Sequence, residues 1–314
     1  MTKRLVVALG GNAILTDDPS AAAQQQAIQQ TAQQLINFLA AGDVQLVLTH
    51  GNGPQVGNLV LQQLQGSSVK NPAMPLDTVG AMTQGEIGLW LADALNYEIS
   101  SRGLSQRVAT VLTRTVVDEA DPAFRQPTKP IGPFYTVAEL PAIKQQYPDW
   151  QFVADAGRGF RRVVPSPKPV SIMEAAEIQA LVQDGVTLIA GGGGGVPVIE
   201  KEGHVTGVEA VIDKDFTAAK LAELVDADEL LILTAVRYVA KDFNQPSQTM
   251  IKRISATEMQ QLVDAGQFPA GSMKPKVEAA ISFVRNTGRP AVITSLDNVQ
   301  AYLADGDGTV IVPD

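Results

Sequence analysis

The sequence predicts an α/β protein in which a mostly parallel sheet is covered by helices on both faces. Short apolar segments rich in β-branched residues alternate along the chain with longer segments of helical periodicity. Glycine-rich turns follow three of the apolar segments. One region rich in proline and aromatic residues interrupts the alternation between residues 117 and 169. We therefore expect one sheet of this kind with a single insertion.

Strands are expected in the short apolar segments, because buried strands of parallel sheets are nearly continuous apolar runs. These segments are residues 5–9, 44–49, 108–112, 186–190, 229–234, 291–294 and 309–312. The expected helices are residues 21–41, 80–103, 172–185, 215–225 and 275–288. The first helix is rich in glutamine, but Ile28, Thr31, Leu35 and Leu39 recur at helical spacing. Its glutamines therefore form the solvated face of an amphipathic helix.

Composition excludes several classes of protein. The 314 residues are enough for one large α/β domain or for two lobes. A net charge of −9 argues against a broad nucleic-acid surface, and the absence of cysteine excludes disulfides and thiolate chemistry. No apolar run reaches membrane-spanning length, and the first residues lack a signal-peptide pattern. We expect a cytoplasmic enzyme that does not associate with membranes.

Glycine-rich turns at residues 9–12 and 49–54 follow the first two strands and precede helical segments. A strand, a glycine turn and a helix start together form an anion site. Unpaired backbone N–H groups face outward there, and glycine lets the main chain approach a phosphoryl group closely. A third turn, residues 191–195, follows the strand at 186–190. The alternative for each turn is packing alone, since α/β proteins use glycine at many strand ends.

The region at residues 117–169 contains a high density of proline and aromatic residues, which prevents long helices and favours short hairpins and turns. We interpret it as a small inserted subdomain that acts as a lid. The alternative is an ordinary long surface loop, although structureless loops of this length are uncommon in compact domains. Lys129 lies in this region. It is either a solvated loop lysine or a cation that the lid brings to the site.

Two further lysines stand out by context. Lys214 lies between Asp213 and Asp215 at a strand-to-helix junction, where it either forms a surface salt bridge or reaches a phosphoryl group with Asp215 orienting it. Lys276 lies where Pro275 begins a helix. A cation in that first turn opposes the helix dipole, which costs roughly 0.3–1 kcal/mol. A bound polyphosphate would remove this penalty.

Eight motifs resemble those of carbamate kinases, in order and at suitable spacing over nearly the whole chain. They are residues 8–12 (ALGGN), 49–57 (THGNGPQVG), 84–88 (QGEIG), 129–132 (KPIG), 161–167 (RRVVPSP), 191–197 (GGGGGVP), 207–215 (GVEAVIDKD) and 271–276 (GSMKPK). The strand and glycine-pair turn is shared across the wider amino-acid kinase fold, whereas THGNGPQVG with KPIG is much more specific. The resemblance implies a three-layer αβα sandwich around a mainly parallel eight-stranded sheet, with a small protruding subdomain. It also implies a substrate lobe at residues 1–209 and a nucleotide lobe at 210–314.

The resemblance further implies reversible transfer of a phosphoryl group between ATP and carbamate, giving ADP and carbamoyl phosphate, with Mg²⁺ carried by the nucleotide. A homodimer is implied, and the apolar helix at residues 80–103 is its candidate interface. The alternative is that Ile87, Leu89, Leu91 and Leu95 of this helix belong to the core. Hydrogen bonds to the transferring group would come from the two N-terminal turns: Gly10, Gly11, Asn12, Gly51, Asn52 and Gly53. The implied catalytic residues are Lys129, Lys214, Asp215 and Lys276, and the implied nucleotide contacts are Lys214, Thr234, Ala235, Met273 and Lys276. Use of the reaction to make ATP would place the enzyme in arginine or agmatine catabolism.

The chain departs from related patterns at two positions. Other amino-acid kinases have a lysine in the first strand where this chain has Ala8, so we hypothesise that Lys129 supplies that charge from the lid. Carbamate kinases commonly have an acid where this chain has Arg237, in a segment expected to flank the adenine or ribose. His50 adjoins the second turn and is interpreted as orienting the loop backbone.

Two other functions are open to this fold. One is a related enzyme that acts on another small carboxylate or forms carbamoyl phosphate for biosynthesis. The other is a non-catalytic ligand sensor, which loss of the lysines or of the glycine turns would have favoured. A dinucleotide-binding fold is disfavoured, because residues 191–195 lack the expected glycine spacing and no ribose-binding acid follows them at the usual distance in the chain.

Overall fold

Strands and helices alternate along the chain in the computed structural model, which describes residues 2–10, 14, 18–154, 159–269 and 271–314. The strands are β1 (Lys3–Leu9), β2 (Val44–His50), β3 (Arg107–Thr110), β4 (Arg114–Val117), β5 (Lys129–Tyr135), β6 (Gln151–Ala154), β7 (Phe160–Val164), β8 (Pro169–Ile172), β9 (Val186–Ile189), β10 (Val196–Lys201), β11 (His204–Gly207), β12 (Glu229–Thr234), β13 (Val239–Lys241), β14 (Thr249–Ile251), β15 (Arg253–Ser255), β16 (Ala291–Ser295) and β17 (Thr309–Val312). The helices are α1 (Ala21–Ala40), α2 (Gly53–Gly66), α3 (Leu76–Ser101), α4 (Leu140–Gln146), α5 (Ala175–Gln183), α6 (Lys214–Leu224), α7 (Ala256–Asp264), α8 (Met273–Thr287) and α9 (Val299–Asp305).

The central sheet contains eight strands of the described residues, in the spatial order β15-β17-β16-β12-β1-β2-β9-β3. Neighbouring strands pair in parallel, apart from the antiparallel pair β16 and β17. This confirms the mainly parallel, eight-stranded sheet. All seven strands expected from the sequence belong to it. The eighth, β15, has three residues and is too short to show a periodic pattern.

Helices cover both faces of the sheet, as the alternating burial of β1 shows. Leu5, Val7 and Leu9 pack into a core formed with α1, α3 and α9. Val6 and Ala8 pack on the opposite face, in a core formed with α5 to α8. All five side chains are buried, and burying each of the larger ones contributes about 1.5–3 kcal/mol. The three-layer arrangement is thereby confirmed.

Several elements differ from expectation, and two of the differences have a clear local cause. The helix expected over residues 172–185 begins at Ala175, because Pro169–Ile172 forms strand β8 and pairs with β4. Helix α7 was not expected, although its capping box of Ser255 and Glu258 is visible in the sequence. None of the helices in the described part of the chain is long and apolar enough to cross a membrane.

The region at residues 117–169 contains a small antiparallel sheet of order β5-β7-β6 together with α4. Its aromatic residues pack on one another, with the rings of Tyr147 and Trp150 stacked at 4.1 Å between centroids. Its first and last residues, Val117 and Pro169, are register partners in β4 and β8. The region therefore leaves the main body and rejoins it at a single place. Its movement as a lid stays a prediction.

Candidate active site

The carboxyl ends of β1 and β12 mark a switch point in the sheet. The chain leads from β1 to β2 on one side and from β12 to β16 on the other. Crevices at such points are the usual ligand sites of open α/β sheets. The two strand ends approach closely, since a Cβ at Gly10 would lie 2.6 Å from the Leu233 carbonyl oxygen. Close backbone packing therefore requires glycine at position 10.

A cavity of about 620 Å³, which we call the polar cavity, opens at this edge. The N-termini of α2, α6 and α8 meet around it, represented among its lining residues by Gly53, Lys214 and Ser272. The first N–H groups of a helix have no partner within the helix, and the helix dipole places partial positive charge there. Three such ends around one cavity favour an anionic ligand.

Two lysines share one buried carboxylate at the wall of the polar cavity. The Nζ atom of Lys214 lies 2.6 Å from Oδ1 of Asp215, and that of Lys276 lies 2.9 Å from its Oδ2. The Asp215 side chain is only 3% exposed. Burial acts to raise the pKa of the Asp215 carboxyl, but both lysines outweigh this and hold that pKa below its usual value. The three residues form a fixed cluster with net positive charge, at the positions predicted for phosphoryl handling.

Lys129 lines the same cavity and comes from the inserted region. It begins β5 in the inserted region, and its Nζ donates to Oδ2 of Asp213 at 2.9 Å. Asp213 also caps α6 by accepting from the backbone N–H of Asp215. The Lys129 side chain is 42% exposed, against 11% for Lys214. This cation is held more loosely than the other two.

The turn after β2, to which the resemblance assigns substrate contacts, lines the polar cavity through Gly51, Asn52 and Gly53. The stem of Lys214 lies against Gly51, and the amide of Asn52 donates to Oγ1 of Thr83 at 2.8 Å. Gly53 begins α2. Of the predicted turn after β1, Gly10 is described and lines the neighbouring cavity. Gly11 and Asn12 lie outside the described residues.

His50 lies buried at the start of this turn. Its Nδ1 bonds the Gly51 carbonyl oxygen at 2.9 Å, in keeping with a role in orienting the loop. Burial lowers the pKa of His50 to about 4. The hydrogen bond to Gly51 acts to raise this pKa, and the charge of Lys214 lowers it further. The ring is therefore neutral at pH 7 and donates from Nδ1.

The third glycine turn, residues 191–195, is fixed in the core. The hydroxyls of Thr49, Thr115 and Thr217 donate to its carbonyl oxygens at 2.8–2.9 Å. Its glycine at position 193 reaches the polar cavity, beside Asn52. Close packing accounts for the glycines of this turn.

A second cavity of about 370 Å³, the apolar cavity, adjoins the polar one and shares Gly271, Ser272 and Lys276 with it. It contains the predicted nucleotide contacts Thr234, Ala235 and Met273. Aromatic walls not foreseen from the sequence complete it: Tyr238, Phe243 and Phe268. An apolar cleft that ends at Lys276 suits a planar base whose phosphates extend into the polar cavity.

Two further positions, Asp213 and Arg161, were not assigned to the site from the sequence, whereas Arg237 was already noted there as a departure from the family pattern. Asp213 was noted only as a neighbour of Lys214, because its contact with Lys129 joins residues 84 apart in the chain. Arg161 lines the polar cavity, and only its place in the RRVVPSP motif marked it. Arg237 forms an ion pair with Asp307, while Val236 and Tyr238 on either side of it line the apolar cavity.

A protein-built metal centre is not present among the described residues, which contain no cluster of three or more His, Asp or Glu side chains suited to a metal ion. The two carboxylates of the polar cavity, on Asp213 and Asp215, are both paired with lysine. A divalent cation in this site would depend on oxygens that a ligand brings.

The chain is similar to known proteins over nearly its whole length. A profile of the amino acid kinase family matches residues 3–295. The chain is 53% identical over 311 residues to a carbamate kinase of Lentilactobacillus hilgardii, covering 99% of this chain and 98% of that protein. It is 55% identical over 315 residues to a carbamate kinase of Latilactobacillus sakei, covering 99% of both. The solved structure of a carbamate kinase from Giardia lamblia bound to AMP-PNP matches with a TM-score of 0.93 at 39% identity, covering 99% of both chains.

Proposed function

The chain belongs to the amino acid kinase family and, within it, to the carbamate kinases, and we propose that it transfers a phosphoryl group between ATP and carbamate. The products are ADP and carbamoyl phosphate, and the reaction is reversible. One observation supports this most directly. The cluster of Lys214, Asp215 and Lys276 lies at converging helix N-termini, where an apolar cleft meets a polar one.

Phosphoryl transfer depends mainly on positioning and charge neutralisation. In the forward direction a carbamate oxygen attacks the γ-phosphorus, while the bond to the β,γ-bridging oxygen breaks and ADP leaves. Carbamate is already an anion, so no general base is required. Lys214 and Lys276 neutralise the oxygens of the transferring group and of ADP, and Asp215 keeps both ammonium groups in place. The turn that contains Gly51, Asn52 and Gly53, with α2 behind it, holds the carbamoyl group through backbone N–H groups.

Lys129 supplies a third charge from the inserted region. Its partner Asp213 is a carboxylate, and a phosphoryl group of higher negative charge competes with it for the ammonium group. The first strand has Ala8 rather than a lysine at the corresponding place, so the site lacks a cation there. We infer that Lys129 exchanges Asp213 for the transferring group as the inserted region closes.

The nucleotide occupies the apolar cavity with its base and reaches Lys276 with its phosphates. Mg²⁺ carried by the nucleotide would reduce the negative charge of its phosphates. The site residues fit this arrangement, because Asp213 and Asp215 are paired with lysine and leave the ion to the nucleotide. Thr234, Ala235 and Met273 contact the base or ribose.

Several finer assignments extend this proposal. We infer that the enzyme makes ATP from carbamoyl phosphate, in arginine or agmatine catabolism, and that it works in the cytoplasm. A homodimer through α3 is supported by its exposed apolar face, where Leu89 is 57% and Tyr97 64% exposed. Ile87 and Leu91 on the same helix are buried in the core of the subunit.

ATP formation from ADP, Mg²⁺ and carbamoyl phosphate tests the proposal. Lys214→Ala is expected to lower kcat by about 10²- to 10³-fold, the size seen when one preorganised transition-state donor is removed. Lys220→Ala is the matched control, because Lys220 lies on the same helix and pairs only with Glu223 among the described residues. Lys129→Ala tests the third charge, and near wild-type turnover in that variant would remove Lys129 from the mechanism.

The outcomes separate the alternatives. Folded wild-type protein that binds ADP and yet makes no ATP would contradict the proposal and favour another carboxylate acceptor or a sensor. Equal losses in Lys214→Ala and Lys220→Ala would contradict the assignment of the phosphoryl site.

A further inference from the structure

We propose that Arg237 is a positioning residue for the nucleotide, acting through Asp307 on the ring of Tyr238. The inference rests on the proposed function and deepens its nucleotide site. The family pattern given in the sequence analysis has an acid at the position of Arg237. In this chain the base that stands in place of that acid has a partner of opposite charge, because the Arg237 guanidinium forms an ion pair with Asp307.

Tyr238 forms part of the wall of the apolar cavity, where the base of the nucleotide is placed. Its hydroxyl donates a hydrogen bond to Oδ1 of Asp307. An aromatic ring held at its far end presents one face in a fixed orientation. The position of Asp307 therefore sets the orientation of this wall.

Asp307 in turn is held by two donors besides Tyr238. The Arg237 guanidinium donates to Oδ2, and the amide of Asn298 donates to the same oxygen at 2.9 Å. The hydrogen bond from Tyr238, with those from Asn298 and Arg237, holds the pKa of Asp307 below its usual value. The carboxylate is thus charged at neutral pH, and Arg237 is its countercharge.

The backbone around Tyr238 is fixed without the Arg237 side chain. Thr294 donates from its hydroxyl to the Arg237 carbonyl oxygen at 3.2 Å. The N–H of Val239 donates to Oγ1 of Thr309 at 2.8 Å. Loss of the guanidinium therefore leaves the strand in place and affects the carboxylate that anchors the Tyr238 hydroxyl, together with the contact of the guanidinium with the Tyr238 ring, 5.5 Å from its centroid.

The ion pair itself is expected to contribute little to folding, because the Arg237 side chain is 55% exposed. We therefore predict that loss of the Arg237–Asp307 ion pair changes the affinity for the nucleotide rather than the stability of the fold. This separates a positioning role from a structural one. A structural role would reduce the amount of folded enzyme without a selective effect on the KM for ADP.

The test compares KM for ADP, KM for carbamoyl phosphate and kcat in the wild type and in Arg237→Ala, Arg237→Lys and Tyr238→Phe. Arg237→Ala is expected to raise the KM for ADP about 5- to 10-fold, the effect of losing about one typical hydrogen bond, because Arg237 acts on the nucleotide indirectly. The KM for carbamoyl phosphate and kcat stay within about twofold of the wild type, and Arg237→Lys restores most of the loss.

Tyr238→Phe raises the KM for ADP similarly. In the double variant Arg237→Ala with Tyr238→Phe the effects do not add, because both substitutions interrupt one connection.

Arg107→Ala is the matched control. Arg107 lies on the edge strand β3, away from the strands β1 and β12 at the site, and its guanidinium forms an exposed ion pair with Asp184. This substitution is expected to leave all three constants unchanged. An unchanged KM for ADP in Arg237→Ala, or fully additive effects in the double variant, would overturn the inference. ADP titration calorimetry on the same variants gives the binding constant without turnover. A wild type that binds ADP but makes no ATP therefore contradicts the proposed function and leaves this inference testable.

Discussion

The turn after β2 and the turn after β9 look alike in sequence, yet their glycines have different surroundings. A Cβ added at Gly53 would meet none of the described atoms within 4 Å, and one at Gly51 would meet only the Lys214 stem, at 3.4 Å. In the turn after β9, a Cβ at Gly192 would lie 2.4 Å from Nε2 of His50, and one at Gly194 would lie 2.1 Å from the Ile212 carbonyl oxygen. The turn after β2 has room for a ligand, and we call it the open turn. The turn after β9 is filled by neighbouring protein atoms, and we call it the filled turn.

The difference shows that a glycine-rich strand end has two separate physical uses. The filled turn supports the open one, because the side chains of His50 and Asn52 lie against Gly192 and Gly193. His50 belongs to both turns, since its other ring nitrogen bonds the Gly51 carbonyl oxygen. We therefore expect substitutions in the filled turn to affect folding and substitutions in the open turn to affect activity.

The largest effect is expected for Gly194→Ala. Its φ of +93° is strained for an alanine, and the new Cβ would collide with the Ile212 carbonyl oxygen. Backbone strain and overpacking together should lower the free energy of unfolding by about 3 kcal/mol or more. Urea unfolding of the purified protein, or its loss from the soluble fraction, measures this.

Gly103→Ala is the control for strain without collision. Gly103 also has a positive φ, +64°, but its Cβ would meet none of the described atoms within 4 Å. It should lose only about 1 kcal/mol. Equal losses at the two positions would show that collision is unimportant and would break the comparison.

These surroundings also mark the limit of what the sequence predicts. Lys214, Asp215 and Lys276 were predicted because strand-to-helix junctions and helix starts leave local signals. The packing of Gly194 depends on Thr115, Ile212 and Thr217, which are distant in the chain and leave no signal beside the glycines. The same limit applies to Asp307, whose partners Arg237, Tyr238 and Asn298 come from two separate connections and are brought together by the fold.

His50, which joins the two turns, gives an intermediate effect through pH. Burial lowers the pKa of His50 from 6.5 to about 4. Between pH 6.5 and pH 4, His50 is therefore protonated in the unfolded chain and neutral in the folded protein. The unfolded state is therefore favoured as pH falls. This group alone should lower the free energy of unfolding by about 2 kcal/mol between pH 7 and pH 5. Denaturant unfolding at both pH values measures it.

Two variants isolate the His50 contribution from that of the carboxylates. His50→Gln should reduce the difference between pH 7 and pH 5 by about 2 kcal/mol, whatever its own stability. His204→Gln, at the exposed start of β11, should retain the wild-type difference. An unchanged difference in His50→Gln would show that the ring is not kept neutral between the turns.

The smallest and most discriminating effect is expected for Gly53→Ala in the open turn. The fold has space for the methyl group, and alanine favours helix α2, so the free energy of unfolding should stay within about 1 kcal/mol of the wild type. Activity should fall about 10-fold, or about 1.4 kcal/mol, because the methyl group restricts the approach of the transferring group to the backbone. Gly66→Ala is the matched control, at the other end of the same helix and equally free of neighbours among the described atoms. If both variants keep full activity, the space around Gly53 is not used by substrate, and the distinction between an open and a filled turn loses its functional meaning.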